Sequence, residues 1–111
     1  MMNQEFKAKW IAALRSDKYK QGQRVLRNKK NEFCCLGVAC DLYDPCLWQP
    51  ISDLQENKDY IYYSDHIFYA VLPEKIGQEI GLDDHAQEKL AEMNDSGASF
   101  AEIADFIEVH Y

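Results

Sequence analysis

The sequence is short of the features that mark several large classes of protein. It has only 5 Gly and 3 Pro, too few for a collagen-like or low-complexity chain. Its longest apolar runs span a few residues, far below the roughly 18 to 20 that a membrane-spanning helix needs. The opening residues 1–5 carry no basic-then-apolar signal segment. With a length that suits one core, these absences predict a single cytoplasmic domain over residues 1–111, without a membrane span.

Signatures of cofactors and metals are also missing. The glycines are scattered singly, so the sequence contains no phosphate-binding loop and no dinucleotide fingerprint. The four cysteines include no Cys-x-x-Cys pair, and adjacent cysteines on a helix point about 100° apart, which is poor geometry for one tetrahedral ion. In a cytoplasm all four are expected to be thiols. We therefore predict no cofactor and no metal site, and the spacing disfavours the alternative of a cysteine–histidine metal cluster.

Charge is distributed unevenly along the chain, whose net charge is -7. Residues 1–33 contain 9 Lys and Arg against 3 Asp and Glu, whereas residues 34–111 contain 3 against 16. Two hypotheses fit this asymmetry. In the first, the basic third binds an anion such as a nucleotide or RNA, since Lys and Arg attract phosphates. In the second, its charges pair with acidic neighbours within the fold. The acidic remainder makes general DNA binding unlikely.

Hydrophobic periodicity and capping signals predict about five helices. Asp44-Pro45 stops the second helix, Gly81 ends the third, and Ser99 with Glu102 forms a capping box at the start of the last. The helices are predicted at about residues 3–15, 34–43, 72–80, 84–93 and 99–108.

Two short β-hairpins complete the prediction. Residues 25–27 and 32–33 flank a polar turn at residues 28–31, and the aromatic and β-branched runs 60–63 and 67–71 flank a second turn. The polar, Gly-containing residues 16–23 are predicted to form a loop. The fold class is therefore α+β, a single small domain of about five helices with two short hairpins.

One candidate for catalysis lies at Cys34 and Cys35, where a strand is predicted to run into a helix. A thiol at a helix N-terminus has a lowered pKa, which favours the nucleophilic thiolate. This layout resembles the papain-like cell-wall peptidases of the NlpC type, in which a Cys precedes an apolar helix and a His opens a later strand. The resemblance implies a cysteine hydrolase with Cys35 as nucleophile and His66 as base. The alternative is that these cysteines are small apolar residues of the core.

The candidate ligand-binding set is the basic loop with one tyrosine for stacking. Guanidinium and ammonium groups bind carboxylates and phosphates, and an aromatic ring next to them can stack on a ligand. The set consists of Lys18, Tyr19, Lys20, Arg24, Arg27, Lys29 and Lys30.

Two motifs and an opening pattern carry a family resemblance. Residues 33–42 (FCCLGVACDL) and 94–108 (NDSGASFAEIADFIE), with residues 10–16 and 19–22, resemble a group of small bacteriophage and prophage proteins that have no established activity. The resemblance implies a bacterial cytoplasm and assigns no catalytic residue. Together with the charge polarity, it leads us to expect a non-enzymatic accessory module that binds a host protein or a small anionic ligand, with the cysteine hydrolase as the alternative.

Overall fold

Five α-helices and one small sheet form the part of the chain that the structure describes. The computed structural model describes residues 2–28, 30–48 and 71–111. The α-helices in these ranges are α1 Gln4–Arg15, α2 Cys35–Tyr43, α3 Glu74–Ile80, α4 Asp84–Asp95 and α5 Phe100–His110. Strands β1 Lys20–Gln21 and β2 Glu32–Phe33 pair in parallel, and Pro45–Leu47 forms a short 3-10 helix. The predicted α+β class is confirmed. The helices in these ranges lack the length and the apolar character that spanning a bilayer requires.

The helix ends follow the capping signals of the sequence. Asn3 and Asp83 each accept a hydrogen bond from a backbone N–H in the first turn of α1 and of α4. Ser99 and Glu102 form the expected capping box of α5. Gly81 ends α3 with φ of 79°, a left-handed conformation that glycine adopts at little cost. These features determine where α1, α4 and α5 begin and where α3 ends.

The apolar faces of the helices meet in one core. Trp10 from α1, Leu36 from α2, Leu90 from α4 and Ile103 from α5 are all fully buried. The indole N–H of Trp10 donates to the carbonyl of Cys35 at 3.0 Å, so the largest core side chain also has its polar atom satisfied. Packing of α1 on α5 and of α2 on α4 therefore holds α2, with Cys35 at its start, against the core.

The small sheet differs from the predicted loop. The prediction that residues 16–23 form only a loop was wrong at β1, where Lys20 pairs with Glu32 and Gln21 with Phe33. The reason is that the backbone of this polar segment finds partners on β2, as Gly22 N–H does with the Phe33 carbonyl at 2.7 Å.

The first predicted hairpin is present in a short form. Arg27 pairs antiparallel with Phe33, and the turn between them is closed by bonds from Asn28 N to the Glu32 carbonyl and from Asn31 N to the Asn28 carbonyl. Strand β2 thus lies between β1 and Arg27. The second predicted hairpin lies outside the described residues, apart from Val71, which forms a bend.

Candidate anion-binding site

The cysteines at the start of α2 are buried. Burial raises the pKa of Cys34 to about 11 and raises the pKa of Cys35 well above the ordinary thiol value. The Sγ of Cys35 lies 3.6 Å from the Leu90 carbonyl. This environment disfavours the thiolate that the hydrolase hypothesis requires. His66 lies outside the described residues, so the Cys35–His66 pair stays a prediction. Within the described residues no three His, Cys, Asp or Glu side chains are placed to hold a metal ion.

Alkylation kinetics check this description of the thiols. We expect limiting iodoacetamide at about pH 8 to label Cys46 first, because Cys46 is exposed, and to label Cys34, Cys35 and Cys40 only after unfolding. Intact-mass kinetics with peptide mapping measures the order, and Cys46 serves as the internal control. Fast labelling of Cys35 below about pH 6, where an ordinary thiol is protonated, would contradict the buried, raised-pKa environment.

One basic side chain of α1, Arg15, is matched by two acidic residues of α5. Arg15 Nη2 lies 2.7 Å from Asp105 Oδ1 and 2.8 Å from Glu108 Oε2. Hydrogen bonds to both carboxylates raise the pKa of Arg15. Lys7 Nζ donates to the Glu108 backbone carbonyl at 3.2 Å. Internal charge matching, one of the two hypotheses for the basic third of the chain, therefore describes Arg15.

The predicted ligand set does not form one site. Side chains alternate between the two faces of a strand, so Lys20 and Glu32 lie on one face and Phe33 on the other. Lys20 Nζ lies 3.4 Å from Glu32 Oε2, at an exposed position. Arg24 lies elsewhere, because its backbone N–H donates to Asp95 Oδ1 at the end of α4. The remaining lysines are Lys18 and Lys30, which are exposed, and Lys29, which lies outside the described residues.

Arg27 is the best-defined member of the set. Its Nε and Nη2 both donate to Asn31 Oδ1, at 3.2 and 2.7 Å. Its guanidinium carbon lies 5.2 Å from the ring centroids of both Phe33 and Trp48, which are cation–π contacts. None of the ion pairs among the described residues includes Arg27. Neutral groups therefore hold the guanidinium of this half-buried residue, and its remaining N–H donors can bind an anion.

One carboxylate fixes the rings next to Arg27. Asp41 on α2 accepts hydrogen bonds from the Tyr19 hydroxyl at 2.6 Å and from the Trp48 indole N–H at 3.0 Å. Burial, and then the bond to Asp41, raise the pKa of Tyr19, so its hydroxyl remains a donor at neutral pH. The Phe33 ring lies between the other two, with centroids 5.2 Å from Tyr19 and 5.9 Å from Trp48 in edge-to-face contacts. We call this group the Arg27 cluster. Its members are Tyr19, Arg27, Asn31, Phe33, Asp41 and Trp48.

The sequence identified only part of this cluster. Tyr19 and Arg27 belong to the predicted set, whereas the sequence places Phe33 in a strand and Asp41 in a helix and predicts no site role for either. Placing the turn at residues 28–31 pairs Arg27 with Glu32, one residue away from the observed partner Phe33. A three-residue turn at residues 29–31 pairs Arg27 with Phe33 instead. This alternative register was the signal in the sequence that could have placed Arg27 opposite an aromatic ring.

The fold and the cluster define a small α+β protein with an arginine held against aromatic rings. The chain belongs to a family described as a domain of unknown function, DUF8296, whose family model matches residues 2–111. No curated protein and no solved structure matches the chain. The description of the family names no activity.

Proposed function

We propose that this chain is a non-enzymatic accessory module of the phage or prophage type, which acts in the bacterial cytoplasm. It binds an anionic group, carried by a host protein or by a small ligand, at the Arg27 cluster. The observation that carries the proposal is the state of Arg27, whose charge is held by the amide oxygen of Asn31 and by the rings of Phe33 and Trp48. A carboxylate partner would have marked Arg27 as internal charge matching, as it does Arg15.

The environment of Arg27 favours binding in two ways. The guanidinium already occupies one position, so an incoming anion has less side-chain entropy to restrict than it would at an exposed lysine. Charge-assisted hydrogen bonds formed by this guanidinium are stronger than bonds between neutral groups. Hydrogen bonds to charged groups contribute about 1.5 to 3 kcal/mol. One such contact is enough to change affinity by more than tenfold.

The charge asymmetry supports the same location for the ligand. The 16 acidic side chains of residues 34–111 repel anions, whereas the exposed Lys18 and Lys30 flank the segment that carries Arg27. An approaching anion is therefore directed towards residues 18–30, which contain no acidic residue. The lysines affect the rate of encounter, and Arg27 provides the fixed contact.

Affinity capture with matched variants tests the proposal. We expect wild-type protein to capture a partner from a bacterial lysate and Arg27→Gln to capture at least about tenfold less, because the variant loses a charge-assisted contact. Arg24→Gln is the control, since it removes the same charge three residues away while the Arg24 contact to Asp95 uses only the backbone. Quantitative mass spectrometry of captured proteins and co-purified small anions gives the readout. Equal capture by wild type and Arg27→Gln would contradict the proposal.

A further inference from the structure

We infer that Asp41 positions the Arg27 guanidinium through the aromatic rings and thereby strengthens anion binding at the Arg27 cluster. This inference rests on the proposed function and names a second residue on which binding at that site depends. The negative charge of Asp41 by itself disfavours an anion nearby, so any favourable effect has to come from the contacts that Asp41 makes. Two chains of contacts begin at the two carboxylate oxygens of Asp41 and end at Arg27.

The first chain of contacts runs through Trp48. Asp41 Oδ1 accepts a hydrogen bond from the Trp48 indole N–H at 3.0 Å. The centroid of the Trp48 ring in turn lies 5.2 Å from the guanidinium carbon of Arg27. A hydrogen bond to an ionised acceptor is roughly twice as strong as one between neutral groups, so the carboxylate restricts the orientation of the indole. Asp41 thereby helps to keep the ring face on the cation, as a cation–π contact requires.

The second chain of contacts runs through Tyr19 and Phe33. The Tyr19 hydroxyl donates to Asp41 Oδ2 at 2.6 Å, and the Tyr19 ring centroid lies 5.2 Å from that of Phe33 in an edge-to-face contact. The Phe33 centroid lies 5.2 Å from the guanidinium carbon of Arg27. Phe33 is only 8% exposed, so it is closely packed, and a shift of the Tyr19 ring displaces it. Both rings that contact Arg27 are therefore linked to the same carboxylate.

Order in the guanidinium before binding is what strengthens the binding. A side chain that is already held loses less conformational entropy when it takes up a ligand. Asn31 Oδ1 holds Nε and Nη2 of Arg27 at 3.2 and 2.7 Å, and the two rings hold the face of the group. Without the bonds to Asp41 the Asn31 contacts remain, but the rings are less ordered and Arg27 with them. Loss of the bonds therefore weakens anion binding, whereas loss of the charge strengthens it.

Two variants that remove the same charge separate these effects. Asp41→Ala loses both hydrogen bonds, whereas Asp41→Asn keeps an acceptor for the Trp48 indole and gains an N–H that can donate to the Tyr19 hydroxyl oxygen. The probe is inorganic phosphate at constant ionic strength, and the shift of the Arg27 Nε–H resonance measures its Kd. We expect Asp41→Ala to bind phosphate at least about threefold more weakly than Asp41→Asn, a change that one less ordered side chain produces.

Exchange of the Arg27 Nε–H with water tests the positioning without any ligand. We expect exchange in Asp41→Ala to be at least about threefold faster than in Asp41→Asn, because a loosened guanidinium opens its hydrogen bonds more often. Tyr19→Phe loses one bond and keeps its ring, so it should show a smaller rise over wild type and carries the test if Asp41→Ala does not fold. Tyr43→Phe is the matched control, since the Tyr43 hydroxyl donates to a carboxylate outside the cluster, that of Glu79.

The outcomes distinguish failure of the positioning role from failure of the proposed function. Equal phosphate binding by folded Asp41→Ala and Asp41→Asn would overturn the positioning role, and phosphate binding by wild type would then leave the proposed function standing. Unchanged exchange in folded Tyr19→Phe, or a rise that Tyr43→Phe matches, would overturn the positioning role as well. Faster exchange in Asp41→Ala with no phosphate shift in wild type would contradict anion binding at Arg27 while leaving Asp41 as the residue that orders it.

Discussion

Gly37→Ala is expected to destabilise the protein by about 3 kcal/mol or more, because α2 lies directly against the backbone of Leu26. A Cβ at Gly37 would lie 1.7 Å from the Leu26 carbonyl oxygen and 2.6 Å from its carbon. Both atoms are backbone, and the same oxygen accepts a hydrogen bond from Cys34 N at 3.3 Å, so Leu26 cannot move away without losing that bond. A small domain has about 5 to 15 kcal/mol of stability in total, so this loss is a large fraction of it.

Urea denaturation followed by circular dichroism measures this loss. Gly97→Ala is the matched control, because its Cβ would meet no atom within 4 Å and the cost comes only from φ of 103° at that position. We expect the control to lose about 1 to 2 kcal/mol, which is a backbone cost. If Gly37→Ala lost no more than Gly97→Ala, the close approach of α2 to Leu26 would be refuted. Leu26 precedes Arg27, so any Gly37→Ala protein that folds should also bind anions more weakly.

The helices were predictable because their signals are local. A capping residue acts on the first turn that follows it, as Ser99 does with Glu102, and an apolar stripe repeats within one element. Strand β1 has no such signal. Lys20 and Gln21 are polar, show no apolar alternation, and pair with β2 across a separation of 12 residues. Their pairing depends on tertiary contacts, which short-range patterns do not contain.

The candidate site was predictable only where it lies in one segment. A basic stretch with a tyrosine is visible in the sequence, and it contains Arg27 and Tyr19. Asp41 and Trp48 come from separate elements, and only the folded chain brings them to the same rings. Alternation along β1 and β2 also separates Lys20 from Arg27, although both lie in one run of basic residues. Charge in the sequence therefore indicates the candidate segment, and the fold determines which of its charged side chains has a defined geometry.

Asn94→Asp is expected to cost about 4 kcal/mol or more at neutral pH, because Asn94 is a fully buried polar residue with all of its groups bonded. Its Oδ1 accepts from Cys35 N and Gln21 Nε2, both at 3.1 Å, and its Nδ2 donates to the Gly22 carbonyl at 2.8 Å. These bonds connect α4, the start of α2 and the residues around β1. An aspartate would place a second acceptor against the Gly22 carbonyl and bury a charge without a cationic partner.

The pH dependence of this variant distinguishes a lost donor from a general packing defect. Burial raises the pKa of a carboxyl at position 94 above the value of about 3.9 in the unfolded chain. The protonated acid can still donate to the Gly22 carbonyl, so stability is greatest below that unfolded pKa and falls as pH rises through the higher folded value. We therefore expect the difference in unfolding free energy between Asn94→Asp and wild type to shrink from pH 7 to pH 4.

Chemical denaturation of both proteins at each pH provides the measurement, with Glu92→Gln on the exposed face of α4 as the control. That control should stay within about 0.5 kcal/mol of wild type at both pH values, as surface substitutions usually do. A loss for Asn94→Asp that is the same at pH 4 and pH 7 would contradict the role of Nδ2 as a donor. A pH-dependent loss would support the bond from the Asn94 amide to the carbonyl of Gly22, the residue that follows β1. Tyr19 directly precedes β1, so the same amide supports the ring contacts of the Arg27 cluster.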